Sequence, residues 1–110
     1  MPDYEVRWSK PAINDLVRLK SFIEPKNPKA AQKSIELLQK TANLLEATPL
    51  LGVELGDGSH RRELYPPFGK SGYVVRYRIH KRKKYVLILR IWHSKEKRTA
   101  TTPLAKWFPV

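Results

Sequence analysis

The chain alternates between two periodicities. Tyr4-Glu5-Val6-Arg7-Trp8 alternates apolar and polar positions, which predicts a short strand. Ser9 then stands where a helix cap is expected, and Pro11 is tolerated in a first turn. Ala12, Leu16, Leu19 and Ile23 recur at helical spacing and make one apolar stripe. Pro25 ends that helix. Asn27-Pro28 opens a second, with a stripe of Ala31, Ile35, Leu38, Ala42 and Leu45 that closes at Pro49 and Gly52. Two amphipathic helices on a short connection predict an antiparallel hairpin, which needs a sheet to bury both stripes.

The second half supplies that sheet. Gly56-Asp57-Gly58 reads as a turn and His60 to Tyr65 as a strand, broken by Pro66-Pro67-Phe68-Gly69. Tyr73 to Ile79 is the next strand, Lys81 to Lys84 a turn, and Tyr85 to Trp92 the last strand. The predicted class is α+β, ordered β-α-α-β-β-β. It is an antiparallel sheet with the helical hairpin packed on one face. Residues 1–98 are expected to form one domain. Residues 99–110 are expected to be a tail that docks or contacts a partner through Trp107 and Phe108.

Alternation places Tyr73, Val75, Tyr77 and Ile79 toward the helices and Val74, Arg76, Arg78 and His80 away from them. Arg62 and Leu64 point together, opposite to Arg61 and Glu63. Tyr85, Leu87, Leu89, Ile91 and His93 would share one face of the last strand, with Val86, Ile88, Arg90 and Trp92 on the other. Both faces are mostly apolar, so this strand is expected to lie inside the sheet.

Charge changes the picture. The net charge is +12, and it is uneven. Residues 1–54 hold 8 basic and 7 acidic side chains; residues 55–110 hold 14 and 3. A surplus gathered in one half points to a polyanionic partner. Arg62, Arg76, Arg78 and Arg90 are expected to gather on the helix-free face and its ends, with Lys95, Lys97 and Arg98 following the last strand. Arginine suits bidentate contact with phosphate or carboxylate. His93, at a strand end beside these cations, is a candidate general acid or base. Glu63 is a weaker candidate base.

Other chemistry is narrowed. There is no cysteine, which excludes disulfides and thiolate metal sites and makes the cytoplasm the default location. His60, His80 and His93 lack the spacing of a metal motif, so no metal and no cofactor is expected. No apolar run is long enough to span a bilayer, and the first residues do not read as a secretory signal. The glycines of GVELGDG do not make a phosphate loop.

Several stretches in this order carry a resemblance: SKPAINDLVRLKSFI, NPKAAQKSIELLQKTANLLEATPLLG, RREL, GYVVRYRI and VLILRIWHSKE. Together they resemble the RelE/ParE superfamily of toxins from bacterial type II toxin–antitoxin systems, over residues 4–98. The resemblance implies a small toxin neutralised by a cognate antitoxin in a hetero-oligomer, with operator DNA bound only through the antitoxin, and a role in plasmid stabilisation. ParE-like members poison DNA gyrase; RelE-like members are mRNA interferases that cut message on the ribosome. The long helical hairpin favours the ParE-like branch. On the RelE-like alternative, the catalytic set would be Arg62, Arg76, Arg78, His93 and Lys95. On either, antitoxin or target contacts would fall on Arg61, Arg62, Arg76, Arg78, Arg90, Trp92, Lys97 and Arg98. A further alternative is a non-toxic, basic nucleic-acid-binding member of the fold. The end of the chain departs from both branches: no clear final helix follows His93, and Trp107-Phe108 is unusual.

Overall fold

The computed structural model describes residues 3–95. The expected order holds, with two short additions. Strand β1 (Glu5–Trp8) leads into helices α1 (Lys10–Ile23) and α2 (Pro28–Asn43). Two single 3-10 turns, Leu44–Glu46 and Pro49–Leu51, carry the chain to β2 (Val53–Glu54). Then come β3 (Arg61–Leu64), β4 (Pro67–Phe68), β5 (Ser71–His80) and β6 (Tyr85–His93). The two-residue strands β2 and β4 are too short for alternation to reveal.

The helix boundaries follow from their caps. Ser9 accepts a hydrogen bond from the Ala12 amide (3.2 Å) and donates its own hydroxyl to the Leu89 carbonyl (3.0 Å), so one side chain caps α1 and ties it to β6. Asn27 accepts from the Ala30 amide (3.0 Å) ahead of Pro28 at the first helical position.

The sheet order is β1-β6-β5-β3-β2, with β4 against β5. The long strands β3, β5 and β6 form the predicted antiparallel meander. The first strand joins it in parallel, Glu5 opposite Tyr85 and Trp8 opposite Ile88. The sheet is therefore mixed, and β6 lies inside it as expected. The core forms where Ala12, Leu19, Leu38, Ala42 and Leu45 meet Tyr73, Val75, Tyr77, Val86, Ile88 and Ile91. The predicted inward face of β5 is the observed one. The alternation assigned to β6 does not hold. A register irregularity puts Arg76 opposite Arg90 but Tyr77 opposite Ile88, so Leu89 is the extra residue of a bulge. Val86 and Ile88 face the core before the bulge, and Ile91 and His93 share that face after it.

The bulge lies where β1 stops covering β6. Helix α1 takes over that edge through Asp15, a buried carboxylate with its side chain 3% exposed. Asp15 accepts from the Ile91 amide (2.8 Å) and from Arg90 through Nε (2.9 Å) and an NH2 group (3.1 Å). Arg18 adds a contact at 3.3 Å and donates to the Ile91 carbonyl (3.2 Å). A buried carboxylate is tolerable only when its lone pairs are filled in this way.

A second tie joins β5 to the segment after α2. The fully buried Tyr77 donates its hydroxyl to the Pro49 carbonyl (2.7 Å) and accepts from the Gly52 amide (2.7 Å). Burial pushes the Tyr77 hydroxyl above the usual tyrosine range, and the Gly52 bond partly opposes that. A side chain at Gly52 would place its Cβ 2.6 Å from the Tyr77 hydroxyl and 2.9 Å from the Glu63 carbonyl oxygen. On the surface, Asp57 closes the turn before β3. It accepts from the Ser59 amide (2.9 Å), from the Ser59 hydroxyl and from Arg61 (3.1 Å). The Ser59 contacts, more than Arg61, lower its carboxyl to about 2.

Asp15→Ala strands Arg90 and the Ile91 amide, and is expected to cost about 3 kcal/mol in urea unfolding, since breaking a buried charged network removes several hydrogen bonds at once. Gly52→Ala overpacks a closed site. It is expected to cost about 2 kcal/mol and to lower Tm by roughly 10 °C in a thermal melt. In an NMR pH titration of the folded protein, Ser59→Ala is expected to raise the Asp57 midpoint from about 2 toward its ordinary 3.8, because the largest cause of the depression is gone.

Candidate functional site

The cations singled out from the sequence do not converge on one place. Cross-strand partners share a face of a sheet. Arg62 stands opposite the core residue Tyr77, so it projects to the helix side, not to the helix-free face. There it donates to the Gly52 carbonyl (2.7 Å) and the Leu50 carbonyl (3.4 Å) and lies 3.7 Å from Glu54. Arg90 is drawn to Asp15 at the α1 edge. These two arginines hold loops and helix to the sheet.

The other face carries Arg76 and Arg78, as alternation expects, and with them Arg61, Glu63 and Trp92, so Arg61 stands where Arg62 was expected. Glu63 is buried opposite Arg76 and accepts from its Nε (2.8 Å) and NH2 (2.7 Å). Tyr65 donates its hydroxyl to the same carboxylate (2.9 Å). Desolvation first, and the Glu63 carboxylate second, push the Tyr65 hydroxyl above its usual range. The Arg76 guanidinium also lies 4.9 Å from the centre of the Trp92 ring. Arg76 is thus held in a fixed orientation by an acid and an aromatic ring. Arg61 pairs with Asp57 at 3.1 Å.

His93 lies at the opposite end of β5 from Arg78. It stands across from Tyr73, whose ring it meets edge-on at 5.5 Å. Arg78 is five residues farther along β5 and on the other face, which separates them by about 17 Å at the usual rise of an extended strand. The Lys95 amide donates to His93 Nδ1 (3.1 Å), so that nitrogen is the acceptor and Nε2 bears the proton, directed at the Ser71 hydroxyl (2.9 Å). Lys95 is exposed beside the imidazole. Lys97, Arg98 and the 99–110 tail lie outside the described residues.

One concave site brings four cations together. An open cleft of about 680 Å³ lies where β5 runs past the end of β3, beside the β5–β6 turn. Arg62, Arg78, Lys81 and Arg82 line it, against a single carboxylate, Glu54. His60, His80 and Tyr85 contribute rings, and Leu50, Ile79 and Leu87 an apolar part. His80 stacks on Tyr85 at 4.8 Å, and Arg7 sits 4.1 Å from the centre of the Tyr85 ring. No cluster of metal-ligating side chains occurs among the described residues. Sequence reasoning missed the role of Asp15. Its place three residues after Ala12 and four before Leu19, within the apolar stripe, was the available signal. The place of His60 and His80 beside these cations is likewise not legible in the sequence, because the cleft forms only when β3, β5 and β6 assemble.

With this geometry in hand, the likeness to known proteins is specific. The family described as the ParE toxin of the type II toxin–antitoxin system parDE matches residues 6–98. Two toxins of Caulobacter vibrioides are similar in sequence. The chain is 37% identical to Toxin RelE3 over 87 residues, covering 79% of this chain and 90% of that toxin. It is 35% identical to Toxin RelE1 over 95 residues, covering 86% and 98%. Among solved structures, a chain of the chromosomal ParDE system from P. aeruginosa superposes with a TM-score of 0.67 at 18% identity, covering 83% of this chain and 96% of that one. A chain of the RelBE2 toxin–antitoxin complex from Mycobacterium tuberculosis gives 0.59 at 25% identity, covering 84% and 93%. The order of two helices and a mixed six-stranded sheet, the basic second half and these matches agree: the chain belongs to the ParE toxin family of type II toxin–antitoxin systems, within the RelE/ParE superfamily.

Proposed function

We propose that this toxin acts in the cytoplasm as a ParE-like poison of DNA gyrase, neutralised by a cognate antitoxin, and that it works by binding rather than by cutting RNA. The observation that carries the reading is how the candidate catalytic set is used. Arg62 is spent on main-chain carbonyls and Glu54, Arg76 on Glu63, and His93 stands about 17 Å along the sheet from Arg78. Strand scission at a phosphodiester needs cations and a proton-transfer group aimed at one phosphate. Here Arg62 and Arg78 share a cleft from which His93 is remote, and the imidazole is engaged with Ser71 and the Lys95 amide. Arginines held rigid by carboxylates and an aromatic ring suit a recognition surface, where preorganised groups lose little freedom on binding. The same cationic surface suits an acidic antitoxin segment.

A second reading, a RelE-like ribosome-dependent mRNA endonuclease, is favoured by one observation: the similar Caulobacter toxins bear the RelE name at 37% and 35% identity. On that reading Arg62, Arg76, Arg78, His93 and Lys95 would act on the message, after a rearrangement that releases Arg62 from the Gly52 carbonyl and Arg76 from Glu63.

Two assays on purified, antitoxin-free protein separate the readings. Plasmid supercoiling by gyrase is expected to fail in its presence, while mRNA on programmed ribosomes stays intact. His93→Gln is expected to inhibit gyrase much as the parent does, within the roughly fivefold that a lost hydrogen bond of about 1 kcal/mol at a strand end could cost. Cleaved mRNA together with normal supercoiling overturns the proposal.

A further inference from the structure

The described residues contain eight arginines, and six of them meet a carboxylate: Arg7 with Glu5, Arg18 and Arg90 with Asp15, Arg61 with Asp57, Arg62 with Glu54, and Arg76 with Glu63. The other two, Arg78 and Arg82, have no carboxylate within ion-pair distance among the described residues, and both line the cleft beside the β5–β6 turn. Arg78 also stands directly opposite Arg61 across the sheet, a like-charge pair that is unfavourable unless an anion offsets it. On Arg61 the offset comes from Asp57. Nothing comparable serves Arg78, and Lys81 and Arg82 add further positive charge to the same opening. The cleft also holds a ring stack. Tyr85 lies between β1 and β5, so Arg7 and His80 contact it from its two sides, and His80 borders the cleft.

We propose that this cleft is a phosphodiester-binding site that holds single-stranded nucleic acid, with Arg78, Lys81 and Arg82 on the phosphates and His80, backed by Tyr85, as the platform for a base. Arginine matches the fork of phosphate oxygens, and base stacking on a ring is tolerant of sequence. A carboxylate-rich peptide would use the cations but leave the ring stack idle. That difference favours a nucleic-acid strand. The site is about 17 Å along the sheet from His93. It stands apart from the question of whether the toxin stops gyrase or the ribosome.

The test uses the full chain and a short fluorescein-labelled single-stranded oligonucleotide of mixed sequence, followed by anisotropy across a salt series. DNA and RNA oligonucleotides of one sequence form two arms; tighter binding in either supports the site and names its source. The double substitution Arg78→Gln/Arg82→Gln is expected to weaken binding roughly tenfold or more, and to make the log K against log salt slope shallower by about 1.4, two phosphates' worth on a single strand. Lys29→Ala/Lys33→Ala, which removes two exposed cations from α2, is expected to change neither. Lys81→Gln alone is expected to give a smaller loss, and keeps the test open should the double variant melt early. Parent-like binding and slope in the arginine and lysine cleft variants overturn the site. An equal loss in the α2 variant overturns it too, because binding would then follow net charge alone. Poly-glutamate binding as tightly as the oligonucleotides, with the same dependence on Arg78 and Arg82, makes the occupant an acidic peptide and overturns the nucleic-acid assignment. The assay contains neither gyrase nor ribosomes, so a failed supercoiling test leaves its result unaffected.

Discussion

The fold turns on how the edge of β6 is closed. A strand inside a sheet needs partners along both sides, and β1 supplies only four residues of one side. Beyond Trp8 the neighbour is a helix, whose main-chain groups past its first turn are bonded within it. Asp15 resolves this by presenting a carboxylate to the Ile91 amide, and the charge so introduced is met by Arg90 and Arg18. The bulge at Leu89 belongs to the same arrangement. It turns Arg90 toward Asp15 and returns Ile91 to the core. One acidic side chain thereby fixes helix position, strand register and the orientation of two arginines.

The same economy runs through the rest of the molecule. A basic chain that packs its arginines near a sheet must either neutralise them or leave them for a partner. Asp15, Glu54, Asp57 and Glu63 are each matched to an arginine. The second half of the chain has few acids, so most of its lysines and two arginines of the β5–β6 hairpin, Arg78 and Arg82, are left outside this scheme. Acids are placed where geometry must be rigid, and the uncompensated charge is concentrated at one end of the sheet. For a toxin that must meet both an inhibitor and a target, such a division gives a stiff frame and an electrostatic lure on one molecule.

Much of this was legible in the chain itself. The helices were plain because their apolar positions recur at helical spacing and each begins at a cap followed by proline. The inward face of β5 was plain because Tyr73, Val75, Tyr77 and Ile79 alternate without a break. Alternation also separated Arg61 from Arg62, and Arg76 from its apolar neighbours. What stayed hidden depends on contacts between distant segments. No local pattern distinguishes the bulge at Leu89 from a regular strand, since both faces of β6 are apolar. The parallel addition of β1 follows from a crossover that two helices make possible and no residue encodes alone. Arg62 reads as a surface cation until Leu50 and Gly52 bring their carbonyls over it. The ties of Arg76 to Glu63 and Trp92 likewise appear only once three strands are in register.

The parallel pairing of β1 with β6 has a consequence for biosynthesis. Residues 5–8 find their partners at 85–88, and Asp15 finds its own at 90–91. During translation the two helices emerge early but have no sheet edge to seat on until β6 leaves the ribosome. Contacts of such long sequence separation form late and slowly. The nascent chain therefore passes through a period in which its apolar stripes are open and its cationic cleft does not yet exist. For a member of a toxin family, the folded surface, the cleft included, comes into being only when β6 joins the sheet.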